Sequence, residues 1–230
     1  MTRKIAVIVG PTGGIGSAII EAVRASGHYD EVVGFGRQSV PPLDLLDETT
    51  IEACAGHLRS LEGEVRLVFD ASGALTLDGM RPEKSWREID PAHLARSYAV
   101  NAIGPALLMK HFLPLFPREG RSLFATLSAR VGSIGDNRLG GWYAYRAAKA
   151  GLNQILRTAA VELARRNPEA IAVALHPGTV RTQLTETFAK SGLDVQEPDV
   201  AAQRLLDVVE RLSPAETGGF FDHLGKPIDW

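Results

Sequence analysis

The chain has 230 residues, of which 45% are hydrophobic and 23% charged, with a formal net charge of −2. These values fit one α/β domain, or at most two small ones, and the near-neutral charge gives no reason to expect a nucleic-acid or membrane partner. Because Cys54 is the only cysteine and the apolar run at residues 5–9 is too short for a signal peptide or a membrane span, we expect no disulfides and a soluble, cytoplasmic protein.

Strands and helices alternate from the start of the chain. The apolar, β-branched run at 5–9 is typical of a strand that is buried on both faces. A helix is predicted at 15–25, where Gly27 is placed to cap the C-terminus. The pattern then predicts a strand at 31–35, a helix at 49–60 in which Cys54 is a buried, inert thiol, and a strand at 65–71.

The second half continues the same alternation. It predicts a helix at 91–112 with Pro91 in its first turn, a strand at 122–128, a helix from about residue 145 to 166, a strand at 171–175, a helix at 200–211 and a short strand at 219–222. This order predicts a single α/β domain over residues 1–230, with a Rossmann-like, doubly wound parallel sheet and helices on both faces. Residues 74–90 and 177–197 break the pattern, and such folds place ligand sites in long loops of this kind.

A glycine-rich turn follows the first strand directly. Gly10, Gly14 and Gly16 have the spacing Gly-x-x-x-Gly-x-Gly, which lets a pyrophosphate approach the backbone at a helix N-terminus. The alternative is an ordinary strand-to-helix turn. The second strand ends near Arg37, where an NAD site usually has Asp or Glu and where an arginine suits the 2′-phosphate of NADP. We therefore predict NADP(H) as the preferred cofactor, with NAD(H) as the alternative. Arg37 could equally be a solvated loop residue that contacts no cofactor.

Tyr145 and Lys149 lie four residues apart in a stretch that is predicted to be a helix. Side chains at positions i and i+4 share one helix face, so a phenol is held beside an ammonium group. A free phenol has a pKa of about 10, and a nearby cation favours the phenolate and lowers that pKa. The pair therefore suits proton transfer, although aromatic–lysine pairs are also common on helix surfaces.

The glycine turn and Tyr145-x-x-x-Lys149 together resemble the short-chain dehydrogenase/reductase family, and the resemblance covers nearly the whole chain. The segment 128–146, Ser-Ala-Arg-Val-Gly-Ser-Ile-Gly-Asp-Asn followed closely by Gly-Gly-Trp-Tyr-Ala-Tyr-Arg, is similar to the C-factor-like subgroup of cell-signalling reductases. The resemblance implies hydride transfer between a nicotinamide and a carbonyl or alcohol substrate. Tyr145 would be the acid/base, Lys149 would lower its pKa and hold the nicotinamide ribose, and Asn101 would position a relay water.

Other segments match the family as well. Asp44 matches the residue that contacts the adenine, and Asp70-Ala-Ser-Gly73 replaces the family's Asn-Asn-Ala-Gly. In the segment 177–182, Val180 and Thr182 would meet the nicotinamide carboxamide. The cofactor site implied by the resemblance comprises Gly10, Thr12, Gly13, Gly14, Ile15, Gly16, Arg37, Asp44, Leu45, Ala71, Ser72, Gly73, Asn101, Tyr145, Lys149, Pro177, Gly178, Val180 and Thr182.

One expected catalytic hydroxyl is missing from the sequence. The family has Ser-x-x-Gly at the end of the fourth strand, but this chain has Ala129-Arg-Val-Gly132. Ser128 is adjacent to the gap but belongs to the opposite face of a strand, whereas Ser133 lies in the following loop. We favour Ser133 over Ser128 as the substitute, and a backbone N–H or Tyr143 would serve if neither reaches.

The six histidines show no metal-ligand spacing, so no metal site is predicted. The expected partner is a small carbonyl or alcohol substrate, and the resemblance suggests a homodimer or homotetramer formed through the helices at 91–112 and 145–166. A nucleotide-binding sensor with little turnover is the alternative function, since position 129 lacks a hydroxyl. An extended-type epimerase would need a substrate domain for which too few residues follow Thr182.

Overall fold

The fold is organised around a parallel sheet. The computed structural model describes residues 2–182 and 195–230, and its strands are β1 (Lys4–Val9), β2 (Glu31–Phe35), β3 (Glu64–Asp70), β4 (Ser122–Leu127), β5 (Ala170–His176), β6 (Thr179–Val180), β7 (Val195–Gln196) and β8 (Phe220–Asp222). Six of them form one sheet in the order β2-β1-β3-β4-β5-β8, with every pairing parallel. The short ladder of β6 and β7 stands apart. The predicted doubly wound fold is confirmed.

Helices cover both faces of this sheet. They are α1 (Gly14–Ser26), α2 (Glu48–Ser60), α3 (Pro91–Tyr98), α4 (Gly104–Phe112), α5 (Tyr143–Arg166) and α6 (Pro198–Arg211). Side chains of α1 and α6 pack on one face of the sheet, and those of α2, α4 and α5 pack on the other. Among the described residues, no helix is both long and apolar enough to cross a membrane.

The continuous apolar run of β1 is explained by these two cores. Ile5, Val7 and Val9 enter one core, whereas Ala6 and Ile8 enter the other. Since successive side chains of a strand point to opposite faces, a strand covered on both sides needs apolar residues at every position. The sequence therefore shows an unbroken run in place of an alternation.

The predicted helix at 91–112 is not continuous. Between α3 and α4, the residues Ala99–Ile103 form a π-helical turn in which the Gly104 N–H donates to the Ala99 carbonyl. Our prediction of one regular helix is wrong at this point because the run Ala-Val-Asn-Ala-Ile contains no helix breaker that would mark the change. Turns of this kind are frequent at functional sites, and Asn101 lies at its centre.

Two further features concern single side chains, one of which, Cys54, was predicted to be buried. The predicted burial of Cys54 is confirmed, and this burial raises the pKa of its thiol to about 11, so that the thiol stays protonated at neutral pH. The ring of Trp230 stacks on Phe220 of its own chain, with the centroids 5.8 Å apart, although 45% of Trp230 stays exposed.

The sheet order creates a crevice between β1 and β3. From β1 the chain goes to β2 on one side, whereas β3 and the later strands extend on the other side. Ligands of open α/β sheets bind at such a switch point, beyond the carboxyl ends of the strands. The residues that follow β1 and β3 meet there, because a Cβ atom built on Gly10 would lie 3.3 Å from the Ala71 carbonyl oxygen.

Candidate active site

The glycine turn is shaped by close backbone contacts. Gly10 has a φ of +80°, a conformation that L side chains rarely adopt, and its N–H donates to the Phe35 carbonyl over 2.9 Å. A Cβ atom on Gly16 would overlap the Gly10 carbonyl group and come within 3.3 Å of the Ala71 Cβ atom. Glycine is therefore required at position 16 for α1 to pack against the turn.

The N-terminus of α1 carries the features of an anion site. Gly13 is its N-cap and provides no side-chain cap, and the first turn contains no acidic residue. A Cβ atom on Gly14 would lie 2.7 Å from Thr182 Cγ2, so the segment after β5 lies against the first turn of this helix. Uncapped helix N–H groups without a nearby carboxylate fit the pyrophosphate of a dinucleotide.

The loop after β2 carries the residues predicted for the adenosine end. Arg37 is exposed, and it makes no ion pair with any residue in the ranges 2–182 and 195–230. Asp44 is half-buried, and its Oδ1 accepts the Leu46 N–H over 3.0 Å. Leu45 packs on α4, because a Cβ atom on Gly104 would lie 2.8 Å from the Leu45 Cβ atom.

A buried carboxylate lies at the end of β3. Asp70 is fully buried; its Oδ1 accepts the Ser72 N–H over 3.0 Å and also the Ser72 hydroxyl, and its Oδ2 accepts the Thr126 hydroxyl over 2.7 Å. Burial raises the pKa of this carboxyl group, against the opposing effect of these hydrogen bonds and of Lys149. The segment 70–73 thus carries an acidic group beside the predicted catalytic lysine.

Lys149 and Asn101 converge on Gly73. A Cβ atom on Gly73 would lie 3.1 Å from Asn101 Oδ1 and 3.2 Å from Lys149 Nζ, so only glycine leaves both groups their present positions. The Asn101 amide bonds both main-chain groups of Ala74, at 3.0 and 2.9 Å. Lys149 is 2% exposed, and its Nζ donates to the Leu127 carbonyl over 2.8 Å. Burial lowers the pKa of this ammonium to about 8, although Asp70 raises it.

The tyrosine differs from the sequence prediction in its electrostatics. Lys149 Nζ lies 5.8 Å from the centroid of the Tyr145 ring, which confirms that the two residues share one helix face. However, burial raises the pKa of the Tyr145 phenol above its usual value. The expected lowering by Lys149 is therefore wrong for this structure, because desolvation of the phenolate outweighs the nearby cation.

The turn after β4 brings the serine candidates to α5. Residues Arg130–Gly132 form a 3₁₀ turn, and a Cβ atom on Gly132 would lie 2.8 Å from the Lys149 Cβ atom. The Ser128 hydroxyl donates to Asn153 Oδ1 over 2.7 Å, whereas the Ser133 Oγ accepts the Asp136 N–H over 3.1 Å. Ser128 thus commits its proton to α5, whereas the Ser133 O–H donates to no acceptor among the residues that the structure describes.

The structure describes only part of the loop at 177–197, whose first residues are predicted to contact the nicotinamide carboxamide. Gly178 has a φ of +79°, and Val180 is buried in the β6–β7 ladder, which brings Gln196 Nε2 within 2.7 Å of the Pro177 carbonyl. Residues 183–194 of the predicted loop lie outside the described part of the chain. At the end of β5, burial and the charges of Arg130 and His223 lower the pKa of His176 to about 4, which keeps this imidazole neutral at neutral pH.

Sequence reasoning missed one residue near the start of α5. Glu83 is 3% exposed, and its Oε2 accepts the Ala144 N–H over 3.2 Å. The available signal was the run Gly140-Gly141-Trp142, which offers α5 no capping side chain of its own. The ring centroids of Trp142 and Tyr145 lie 6.3 Å apart, whereas Trp86, in the loop that carries Glu83, is 69% exposed. No cluster of metal-ligating side chains forms among the described residues.

Comparison with known proteins identifies the family of this chain. The family model described as "Enoyl-(Acyl carrier protein) reductase" matches residues 14–211. The chain belongs to the short-chain dehydrogenase/reductase family. Among curated proteins, this short-chain dehydrogenase/reductase is 34% identical to "C-signal" of Myxococcus xanthus over 145 residues, which cover 62% of this chain and 82% of C-signal. It is 31% identical to 1-hydroxy-2-glutathionyl-2-methyl-3-butene dehydrogenase of Rhodococcus sp. (strain AD45) over 192 residues, covering 83% and 79% of the two chains.

Solved structures of the family have the same fold. The NADPH-bound carbonyl reductase from chicken fatty liver superposes with a TM-score of 0.85 at 23% identity, covering 100% of this chain and 99% of that chain. An NADP-bound short-chain dehydrogenase/reductase from Burkholderia multivorans gives a TM-score of 0.81 at 25% identity and covers 100% of both chains. The fold and the oxidoreductase family of this short-chain dehydrogenase/reductase are thereby shown.

Proposed function

We propose that this single-domain protein, over residues 1–230, is an NADP(H)-preferring reductase of small carbonyl compounds, or the dehydrogenase of the matching alcohols. The observation that carries the proposal is the convergence of Tyr145, Lys149 and Asn101 beside a glycine turn built to accept a pyrophosphate. A bound nicotinamide supplies or accepts the hydride. The protein's own residues bind and orient the reactants and handle the proton.

The protonation state of Tyr145 is the one that carbonyl reduction requires. A phenol whose pKa is raised by burial stays protonated at neutral pH, which is the state that a proton donor to a carbonyl oxygen needs, although the same shift makes the phenol a weaker acid. Lys149, held by the Leu127 carbonyl, places a positive charge beside the oxygen that develops negative charge. Asn101 fixes the backbone of Ala74, where a water linking Lys149 to solvent would lie.

Ser133 is our candidate for the substrate-orienting hydroxyl, and Ser128 is the second candidate. The 3₁₀ turn packs the segment between them against α5 at Lys149, and in the described part of the chain no group accepts the Ser133 O–H, which would then serve a substrate carbonyl. The residues assigned above to the cofactor remain our proposal for that site. The exposed apolar side chains of Tyr98, Ile103 and Val161 support a homodimer or homotetramer formed through the helices that carry them. A cytoplasmic location is also proposed, because a lone buried thiol suits a reducing compartment.

The decisive test is a panel of aldehydes and ketones assayed with NADPH and with NADH. We expect NADPH-dependent reduction of at least one carbonyl class and a lower KM for NADPH than for NADH. Binding of NADPH without any turnover across the panel would instead support a nucleotide-binding sensor, which the missing hydroxyl at position 129 and the similarity to C-signal favour as the second candidate. Failure to bind either nucleotide would overturn both.

Arg37 is expected to set the preference for NADPH. Its exposed guanidinium at the end of β2 is free to pair with a 2′-phosphate, and the NADPH- and NADP-bound relatives are consistent with that use. We expect Arg37→Ala to weaken NADPH binding by about tenfold or more and to leave NADH binding unchanged. Binding isotherms with both nucleotides check this, and the exposed Arg59→Ala serves as control. Equal weakening for the two nucleotides would contradict the assignment.

Asp70→Asn restores the residue type of the family and tests the charge beside Lys149. Asp70 raises the pKa of Lys149 from the value that burial alone would give, so without it this pKa should fall below about 8. The ammonium form is then lost at lower pH, and the alkaline limb of the pH profile of kcat/KM should move toward acid by about one pH unit. The exposed Asp30→Asn is the matched control. An alkaline limb that stays in place would show that Asp70 does not act on Lys149.

A further inference from the structure

Glu83 is a buried carboxylate for which the chemistry proposed above has no use. It lies in the loop between β3 and α3, with 3% of its surface exposed. Within the ranges 2–182 and 195–230 its Oε1 accepts no hydrogen bond, and His93 Nδ1 lies 3.4 Å from it, on an imidazole that is 4% exposed. A carboxylate so far removed from water needs specific partners, and these are found at the start of α5.

The first turn of α5 begins in an unusual backbone conformation. Gly140, Gly141 and Trp142 have φ values of +63°, +68° and +56°, and Trp142 occupies the N-cap position without a capping side chain. The amides that open a helix have no partner within it and need one from elsewhere. Positive φ at a bulky residue persists only where neighbouring structure holds it, and such residues cluster at functional sites.

Glu83 supplies those missing contacts with two different groups. Its carbonyl oxygen accepts the Trp142 N–H over 2.5 Å, and its Oε2 accepts the Ala144 N–H over 3.2 Å. Ala144 is the second helical residue, the position that an N-cap side chain normally serves. The carboxylate also places negative charge at the positive end of the helix dipole. Glu83, which is distant in sequence, thus caps the N-terminus of α5 in place of an N-cap side chain.

We propose that Glu83 is a positioning residue for Tyr145. Tyr145 follows Ala144 directly, and the Trp142 ring meets the Tyr145 ring edge-on at 6.3 Å, so both residues that Glu83 holds adjoin the phenol. The inference rests on the proposed function, in which Tyr145 donates the proton. Glu83 touches neither reactant in this scheme and acts by fixing the turn from which Tyr145 projects.

The test compares Glu83→Ala with Glu83→Gln and with Glu88→Ala. Glutamine keeps an oxygen that can accept the Ala144 N–H, whereas alanine does not. Glu88 is an exposed carboxylate of the same loop that accepts the Lys84 N–H over 2.9 Å and has no bond to α5. We expect Glu83→Ala to lower kcat by about tenfold to a hundredfold with unchanged NADPH affinity, since a small misplacement of a catalytic group costs that much. Glu83→Gln should retain most of the kcat, and Glu88→Ala all of it.

Hydrogen exchange gives a second readout that does not depend on turnover. Peptides covering the first turn of α5 should exchange faster in Glu83→Ala than in the wild type, Glu83→Gln and Glu88→Ala, with the rest of the chain unchanged. Unchanged exchange in Glu83→Ala, unchanged kcat despite faster exchange, or faster exchange throughout the chain in both Glu83 variants would each overturn the proposal. If the wild type reduces no carbonyl, the proposed function fails, and the exchange data alone decide whether Glu83 holds this turn.

Discussion

Tyr145→Phe is expected to lower kcat for carbonyl reduction by about 10²- to 10⁴-fold, the usual contribution of a positioned general acid. The change removes only the hydroxyl group, so the ring keeps its contacts with Trp142 and Lys149. Because the glycine turn and the segment 177–182 are untouched, NADPH binding should persist, weakened at most by the loss of the one contact that the Tyr145 hydroxyl would make with the cofactor. Steady-state kinetics with a carbonyl from the active panel, together with fluorescence titration of NADPH, measure the two quantities.

Tyr143→Phe is the matched control for this substitution. Tyr143 opens the same helix two residues earlier, and the sequence offered it only as a substitute for the missing serine hydroxyl. We expect its variant to keep wild-type kcat. If Tyr143→Phe lost turnover and Tyr145→Phe kept it, the assignment of the acid would be reversed.

Gly16→Ala is expected to abolish tight NADPH binding and to destabilise the fold. The added Cβ atom would overlap the Gly10 carbonyl group, which is rigid backbone and cannot rotate away. The turn or α1 must then shift, at a cost typical of overpacking, about 1–3 kcal/mol, and the N–H groups at the helix start shift with it. Calorimetric titration with NADPH and urea unfolding check the two effects.

Gly56→Ala provides the opposite case for comparison. Gly56 lies inside α2 at a negative φ, and a Cβ atom there would meet no atom within 4 Å. Alanine should therefore stabilise the protein by about 0.5–1 kcal/mol through its higher helix propensity, with no effect on NADPH binding. If both variants lost stability equally, the close contact at Gly16 would not be the cause.

Most of the fold was readable from the sequence because buried parallel strands leave a clear trace. Predicted and observed bounds agree within a residue or two for the six strands of the main sheet, and the four inner strands gave the clearest signal because they are covered on both faces. The C-terminus of α1 was equally clear, as Gly27 takes a φ of +65° as a helix cap requires. These features depend on local pattern, which a single sequence contains.

The features that sequence reasoning missed depend on distant contacts. The residue types at 99–103 do not distinguish a π-helical turn from an α-helix. The hydrogen bond from the Ala144 N–H to Glu83 joins positions that are 61 residues apart, so no local pattern could predict it. The direction of the Tyr145 pKa was missed for a related reason. The spacing to Lys149 is visible in the sequence, but the burial that desolvates the phenol depends on the whole fold.

The π-helical turn also requires a fixed number of residues between α3 and α4. An α-helix rotates by about 100° per residue, so the extra residue between α3 and α4 changes the side of the helix that each half presents. The earlier half packs mainly against α5, and the later half also packs against α2. Deleting one residue from Ala99–Ile103 would straighten the helix but turn one half away from its partner, carrying Asn101 off Gly73. Relatives that keep this site should therefore keep the number of residues in this turn, whereas the loops before and after the helices can differ in length.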